Sequence, residues 1–410
     1  MHVNTQVLHR QHLRTYLNAD FAKTMVVIPK ETLLLLNDHP PPSSNNKTYD
    51  YGTAGFRYDH KLLPHIFIKM GILASLRSYS QQGKAVGLMC TASHNLEDDN
   101  GIKMADPDGG MLNSMAWEKY AVSLANAETV NEVALIIDEI IEQTNNHSKD
   151  KIARMRVHFG RDTRDHSPFL INLAIVAAKS LNFEKNQHVD IVDHEIVTTP
   201  QLHFFVMHAN ASQLPNLIPF HYGTTGYFDI ICHSYLALLN TKQYSNSSVR
   251  NWKVDCACGV GAYQMKILQQ KLNQIQFPNS ANFEVINNVN EGPLNSGCGA
   301  EYVQKQKLPP NIYKQGVRKD MKMTNFENKF NCSLDGDADR IVFHYSVYSP
   351  SMFHLLDGDK ISVLVANFVL KELTHLMQCC GENATNLSCG VVQTAYANGS
   401  STDYLKVCSA

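Results

Sequence analysis

A chain of 410 residues with 36 Lys+Arg against 38 Asp+Glu, and a pI near 6.8, lacks the positive excess needed to grip a phosphate backbone, so nucleic acid is not an expected partner. With 44% hydrophobic residues it can bury about three domain cores, which excludes bulk disorder and a small disulfide or metal scaffold. The apolar runs, such as Ile361 to Leu370, fall short of the ~20 residues that span a bilayer, and Met25 to Ile28 is too short for a signal-peptide core, so no membrane association is expected.

Residues 1–46 end in Pro40-Pro41-Pro42-Ser43-Ser44-Asn45-Asn46, which reads as a leader and linker ahead of a body starting near Lys47. Pro64 opens a helix in which Ile66, Met70, Leu73 and Leu76 share a face. Strand-length runs follow at Ala85–Cys90, Arg156–Phe159, Asp190–Val192 and Trp252–Cys256, alternating with helical segments such as Phe169–Leu181 and Ile361–Met377. This alternation predicts an α/β fold of tandem domains with sheets flanked by helices. Polar stretches at Asn145–Asp150 and Gln243–Arg250 are the best internal breaks, the second placing a boundary near 250, and the expected units are 47–250, 251–345 and 346–410. The ten cysteines form no C-x-x-C, so they are expected to be reduced thiols of a cytoplasmic protein.

Two stretches carry chemistry. Thr91-Ala92-Ser93-His94-Asn95 follows the first apolar strand, where the carboxyl end of a strand meets ligand in an open α/β sheet. Ser93 is a candidate nucleophile, with His94 and Lys103 able to move protons or stabilise phosphate. Taken alone, the stretch reads more readily as a polar strand-to-helix turn with Ser and Asn as caps. Leu334-Asp335-Gly336-Asp337-Ala338-Asp339-Arg340 brings three carboxylates into one tight loop, and a hard cation is the usual relief of their repulsion. Arg340 and Ser346 occupy the places where an EF-hand needs Gly and Glu, so calcium-loop geometry is rejected. An aspartyl-nucleophile phosphatase and a plain acidic turn stay open on this loop alone.

Other signals are weaker. Tyr51 to Arg57 offers two glycines and an arginine suited to an anion. Gly160-Arg161-Asp162-Thr163-Arg164 fits either an anion site or an internal Arg/Asp bridge. Cys258-Gly259-Val260-Gly261 lacks the third glycine of a dinucleotide turn, Gln264 standing in its place, and no nicotinamide cofactor is expected.

Together, YGTAGFR (51–57), TASHNLEDDNGIK (91–103), GRDTR (160–164), TTPQLH (198–203), DGDADR (335–340), DGDK (357–360) and VVQTAYANGSST (391–402) resemble the α-D-phosphohexomutase superfamily. The serine loop precedes GRDTR, and this order is similar to the branch acting on N-acetylglucosamine phosphates. The resemblance implies a phosphoryl group on Ser93 and magnesium held by Ser93, Asp335, Asp337 and Asp339. It also implies His94 and Lys103 as acid/base groups, Arg57 and Arg340 around the phosphoserine, and Arg161 and Lys360 as phosphate or substrate contacts. The implied reaction interconverts N-acetylglucosamine 6-phosphate and 1-phosphate, towards UDP-N-acetylglucosamine, in a monomer. Its activator is N-acetylglucosamine 1,6-bisphosphate or glucose 1,6-bisphosphate.

The chain departs from that pattern in Leu96, where Pro is usual, and in Cys258, where Asn is usual. It carries neither the Glu-x-x-Gly-His sugar loop nor the C-terminal Ser-Gly-Thr phosphate loop. The expectation is an incomplete third domain and no fourth. The alternative to a mutase is therefore a shortened, weakly active or inactive relative that keeps the phosphoserine and magnesium half-site as a binding or regulatory protein. Lost remote contacts would weaken turnover, because positioning contributes about 7–11 kcal/mol.

Overall fold

The computed structural model describes residues 28–42, 48–52, 54–112, 115–147, 154–180, 188–211, 224–239, 251–274, 281–314, 317–319, 330–346, 353–380 and 390–408. The breaks read from sequence at Asn145–Asp150 and Gln243–Arg250 fall largely or wholly outside them, as does most of the leader.

A first five-stranded sheet is built from β1 (Phe56–Asp59), β2 (Ala85–Cys90), β3 (Asp99–Ala105), β4 (Arg154–Arg161) and β5 (His188–Ile196), in the order β1-β3-β2-β4-β5. β2, β4 and β5 are parallel, while β3 runs antiparallel to both β2 and β1. Every residue of β2 is buried, which is why Ala85–Cys90 reads as a continuous apolar run rather than an alternation. Val86, Leu88 and Cys90 join the main core, and Met89 faces the opposite side with Val197, Leu202 and Phe205.

Helix α1 (Lys30–Asp38) comes first in the chain, and α2 (Pro64–Ser80) is buried from His65 to Tyr79. α3 (Met115–Asn126), α4 (Val130–His147) and α5 (Ser167–Ser180) complete this layer, and α6 (Thr199–Ala209) covers the other face of β2. α2 and α5 cross so closely that a Cβ on Gly71 would lie 2.2 Å from the Ala174 carbonyl oxygen. Residues 30–38, assigned on sequence grounds to a leader, are thus corrected to a helix whose buried Thr32 and Leu36 pack on the body. Thr32 Oγ1 hydrogen-bonds Ser180 Oγ on α5. The run Leu33–Leu36 has no helical period, so burial on α5 rather than patterning selects the helix.

A second five-stranded sheet repeats the plan with β6 (Asn251–Asp255), β7 (Asn282–Ile286), β10 (Phe330–Leu334), β11 (Ile341–Ser346) and β12 (Phe353–Leu356), in the order β12-β11-β10-β6-β7. Here β10, β6 and β7 are parallel and β11 and β12 antiparallel. Between β7 and β10, β8 (Ile312–Lys314) and β9 (Val317–Lys319) form a small hairpin. α7 (Thr224–Leu239) packs on α8 (Gly261–Gln274), with Lys271 paired to Asp229. α9 (Gly299–Gln306) lies against β10 and β11. The expected boundaries shift accordingly. α7 leans on the second unit although it precedes residue 250, and β12 extends the second sheet past residue 345. α10 (Gly358–Cys380) and α11 (Gly399–Cys408) pack together, Asn367 Nδ2 donating to Tyr404 Oη at 3.1 Å.

Candidate active site

Both chemical loops leave the carboxyl end of an inner parallel strand and turn into its antiparallel neighbour: residues 91–98 join β2 to β3, and 335–340 join β10 to β11. The two units meet at these loops. Ser93 is 4% exposed and adopts φ 50°, a left-handed conformation unusual for serine. Its N–H donates to Thr91 Oγ1 at 2.9 Å, and its hydroxyl donates to Asp335 Oδ2 at 2.7 Å. Gly336 permits this approach, since a Cβ there would sit 2.6 Å from the Ser93 carbonyl oxygen. Gly259, part of the rejected dinucleotide turn, has a like role: its Cβ would lie 2.4 Å from the Gly336 carbonyl oxygen.

Asp335, Asp337 and Asp339 present oxygens that all lie within 4.8 Å of one another, the first two residues fully buried. Lys103 Nζ bridges Asp337 Oδ2 and Asp339 Oδ2, each at 3.0 Å. Thr199 donates its hydroxyl to Asp337 Oδ2 at 2.7 Å and its N–H to the Asp337 carbonyl at 3.2 Å. Burial, and then the charges of Asp337 and Asp339, push the Asp335 carboxyl well above the usual carboxylate range. Burial acts the same way on Asp337, but Lys103 and Thr199 outweigh it and hold that carboxyl low. Burial opposes the Lys103 ammonium, yet Asp337 and Asp339 raise its pKa and keep it protonated. Asp337 Oδ1 is buried with no hydrogen-bond partner. A crowded carboxylate set with a raised pKa and an orphaned inward oxygen is the donor set of a hard divalent cation, so these residues fit magnesium.

Cationic groups ring the serine. Arg340 Nε lies 3.2 Å from Asp335 Oδ2, and its Nη2 is 3.4 Å from Ser93 Oγ. Arg57, on β1, reaches His94 Nδ1 at 3.4 Å and Asn95 Oδ1 at 3.5 Å rather than the serine itself. Glu301 on α9 accepts from Arg340 Nη1 at 3.0 Å and from Lys305 Nζ at 2.6 Å, and lies 4.0 Å from His94 Nε2. Ser93, His94, Lys103, Arg57 and Arg340 are therefore brought together with the three aspartates. Lys103 enters as a paired ammonium, not as a free base.

Two expected contacts stand apart. Arg161 ends β4 beside Cys90 and, among the described residues, makes no side-chain hydrogen bond or ion pair. Lys360 is exposed in the first turn of α10, and its Nζ donates to the Leu355 carbonyl at 2.6 Å. The open question over residues 160–164 is settled for Arg164, which pairs internally with buried Asp162 and donates to the Asn95 carbonyl at 2.7 Å.

Three participants carried no expectation of their own. Thr199 is set by a capping box, Thr198 Oγ1 accepting from Gln201 N while Gln201 Oε1 accepts from Thr198 N. The Thr-x-x-Gln spacing could have revealed the cap but not its target. Glu301 and Asn295 sit on the second unit, and no local pattern links them to a serine two hundred residues earlier.

A buried serine held to a carboxylate triad, two of whose members are buried, between two such sheets defines the phosphohexomutase class, and solved members of it superpose on the chain. N-acetylglucosamine-phosphate mutase of the α-D-phosphohexomutase superfamily, in its product complex, matches at TM-score 0.75 and 34% identity over 92% of this chain and 64% of that one. Two Aspergillus fumigatus N-acetylphosphoglucosamine mutase structures, both 32% identical, cover the same shares. One, with GlcNAc-6P and magnesium, has a TM-score of 0.73, and the other, with glucose 1,6-bisphosphate, 0.75. Family profiles match in series: phosphoglucomutase/phosphomannomutase α/β/α domain I over residues 73–132, then phosphoacetylglucosamine mutase AMG1 domain II over 219–342 and domain III over 357–409.

Human phosphoacetylglucosamine mutase is 38% identical over 365 residues, 88% of this chain and 60% of the human one. The Saccharomyces cerevisiae protein is 40% identical over 374 residues, 88% and 62% of the respective chains. The chain belongs to the phosphoacetylglucosamine mutase family. It spans about 60% of the length of these curated relatives.

Proposed function

We propose that the chain is a phosphomutase interconverting N-acetylglucosamine 6-phosphate and N-acetylglucosamine 1-phosphate through a phosphoserine at Ser93 and a sugar bisphosphate. The observation that carries this reading is the 2.7 Å contact of Ser93 Oγ with Asp335 inside the carboxylate triad. Asp335, Asp337, Asp339 and Ser93 Oγ would hold magnesium, which neutralises charge on a transferring phosphoryl group. Ser93 adopts a left-handed turn, and its hydroxyl donates a hydrogen bond to Asp335 Oδ2. Arg340 stands 3.4 Å from Oγ, and Arg57, bonded to His94, extends the positive rim along the loop, where charge spreads over phosphoryl oxygens. Lys103 holds Asp337 and Asp339 in place from the first unit. A bisphosphate activator, glucose 1,6-bisphosphate or its N-acetylglucosamine counterpart, suits the same cationic rim.

The seven described free cysteines suit a reducing, cytoplasmic setting, in which we place the chain as a monomer. Among the described residues no helix is long and apolar enough to cross a membrane.

Phosphorus NMR of the chain with N-acetylglucosamine 6-phosphate, magnesium and a trace of the 1,6-bisphosphate tests the proposal. Slow, metal-dependent appearance of the 1-phosphate is expected. No conversion by a folded chain that carries phosphate on Ser93 would favour the second reading, a half-site binding protein.

A further inference from the structure

We infer that Asn295 is a positioning residue, reaching from the second unit to set the conformation of the nucleophile loop; the inference deepens the phosphoserine reading and rests on it. Within the turn at Thr91 to Asn95, Ser93 N donates to Thr91 Oγ1 and Asn95 N to the Ala92 carbonyl. That leaves needing donors the carbonyls of Ser93, which is buried, and of Asn95, which is half-buried. Asn295 Nδ2 supplies both, at 2.8 Å and 2.9 Å, one hydrogen to each. From the first unit Arg164 Nη2 meets the same pair, at 3.4 Å and 2.7 Å.

The clamp has little slack. Asn295 takes φ 58°, its N–H donates to the Ala257 carbonyl at 3.0 Å, and a Cβ on Gly336 would come within 2.8 Å of its Nδ2. It therefore couples the closure of the two units to the left-handed φ of Ser93, the conformation that turns Oγ to Asp335. An amide is specific here, since a carboxylate would face two carbonyl oxygens with no hydrogen to give.

Asn295→Asp and Asn295→Ala are compared with the unsubstituted full chain by hydrogen exchange and mass spectrometry. Exchange across residues 92–96 is expected to rise roughly tenfold in both variants, the loss of one or two buried hydrogen bonds, with residues 251–262 and 299–306 unchanged. The rate of Ser93 phosphorylation by glucose 1,6-bisphosphate should fall roughly 100-fold, while the magnesium dissociation constant stays within twofold. Unchanged exchange at 92–96, or loosening spread evenly through the second unit, overturns the positioning role. Selective loosening at 92–96 in a chain whose unsubstituted form takes no phosphate upholds the clamp and removes the phosphotransfer reading instead.

Discussion

At the scale of single residues, Ser93 and Asp337 have separable tasks. Ser93 is the only described hydroxyl set by the geometry between Asp335 and Arg340, so Ser93→Ala should leave the chain without covalent phosphate after incubation with a sugar bisphosphate. Peptide mass spectrometry checks this, and phosphate at another position would reassign the nucleophile. Asp337 contributes an unpartnered buried oxygen and a full charge. Asp337→Asn keeps the shape but lowers the ligand charge, and magnesium binding followed by calorimetry should weaken about tenfold. An unchanged titration would mean that the cation sits elsewhere. Both residues were legible because they stand in short loops directly after apolar strands. A cation within a recognisable motif, such as Arg161 or Lys360, does not reveal in sequence the direction its side chain takes.

At the scale of elements, the crossing of α2 and α5 decides how closely the helical layer covers β2 and β4. Gly71 is needed for lack of a side chain rather than for its backbone freedom, as a Cβ would press on the Ala174 carbonyl at 2.2 Å. Gly71→Ala should therefore destabilise the first unit by about 1–3 kcal/mol despite the better helix propensity of alanine. A lower urea midpoint measures it, and an unchanged or higher midpoint would show that the helices can part at no cost. The strand at Ala85–Cys90 and the helix opened by Pro64 were readable because buried parallel strands are uniformly apolar and proline suits a first helical turn. α1 was not, since its four consecutive leucines give no period and only the surface of α5 chooses which of them is covered.

At the scale of the whole molecule, stability should depend on histidines buried in both units. Burial pushes His65 and His158 down to about 3 and His344 to about 4, with Lys69 adding to the effect at His65 and His194 and Arg156 adding at His158. The folded chain keeps these rings neutral while the unfolded chain protonates them near 6.5, so below that value the unfolded state binds more protons. Stability is then full above about pH 6.5 and falls as the pH drops towards 4, by at most about 1.4 kcal/mol per pH unit for each histidine. Urea midpoints at pH 7 and pH 5 should differ in that direction, and a midpoint that rises on acidification would contradict it. The two units also share buried ties at the site, Thr199 to Asp337 and Gln201 Nε2 to Gln264 Oε1 at 2.8 Å, so loosening one unit should be felt by the other.

The α/β class and the strand-end location of both chemical loops followed from the sequence alone, and the pairing of a serine with a carboxylate triad from the resemblance that the motif order carries. Each depends on local chemistry: apolar runs that must be buried, like charges that must be relieved and a motif order preserved along the chain. Only the tertiary structure decided that Asn295, Thr199 and Glu301 serve Ser93 and the aspartates, that Lys103 is spent on Asp337 and Asp339, and that Arg164 braces the loop from within. These contacts join residues as far as 236 positions apart, as Lys103 and Asp339 are. They exist because two separately folded sheets present their strand ends to each other, which no local pattern of residue types encodes.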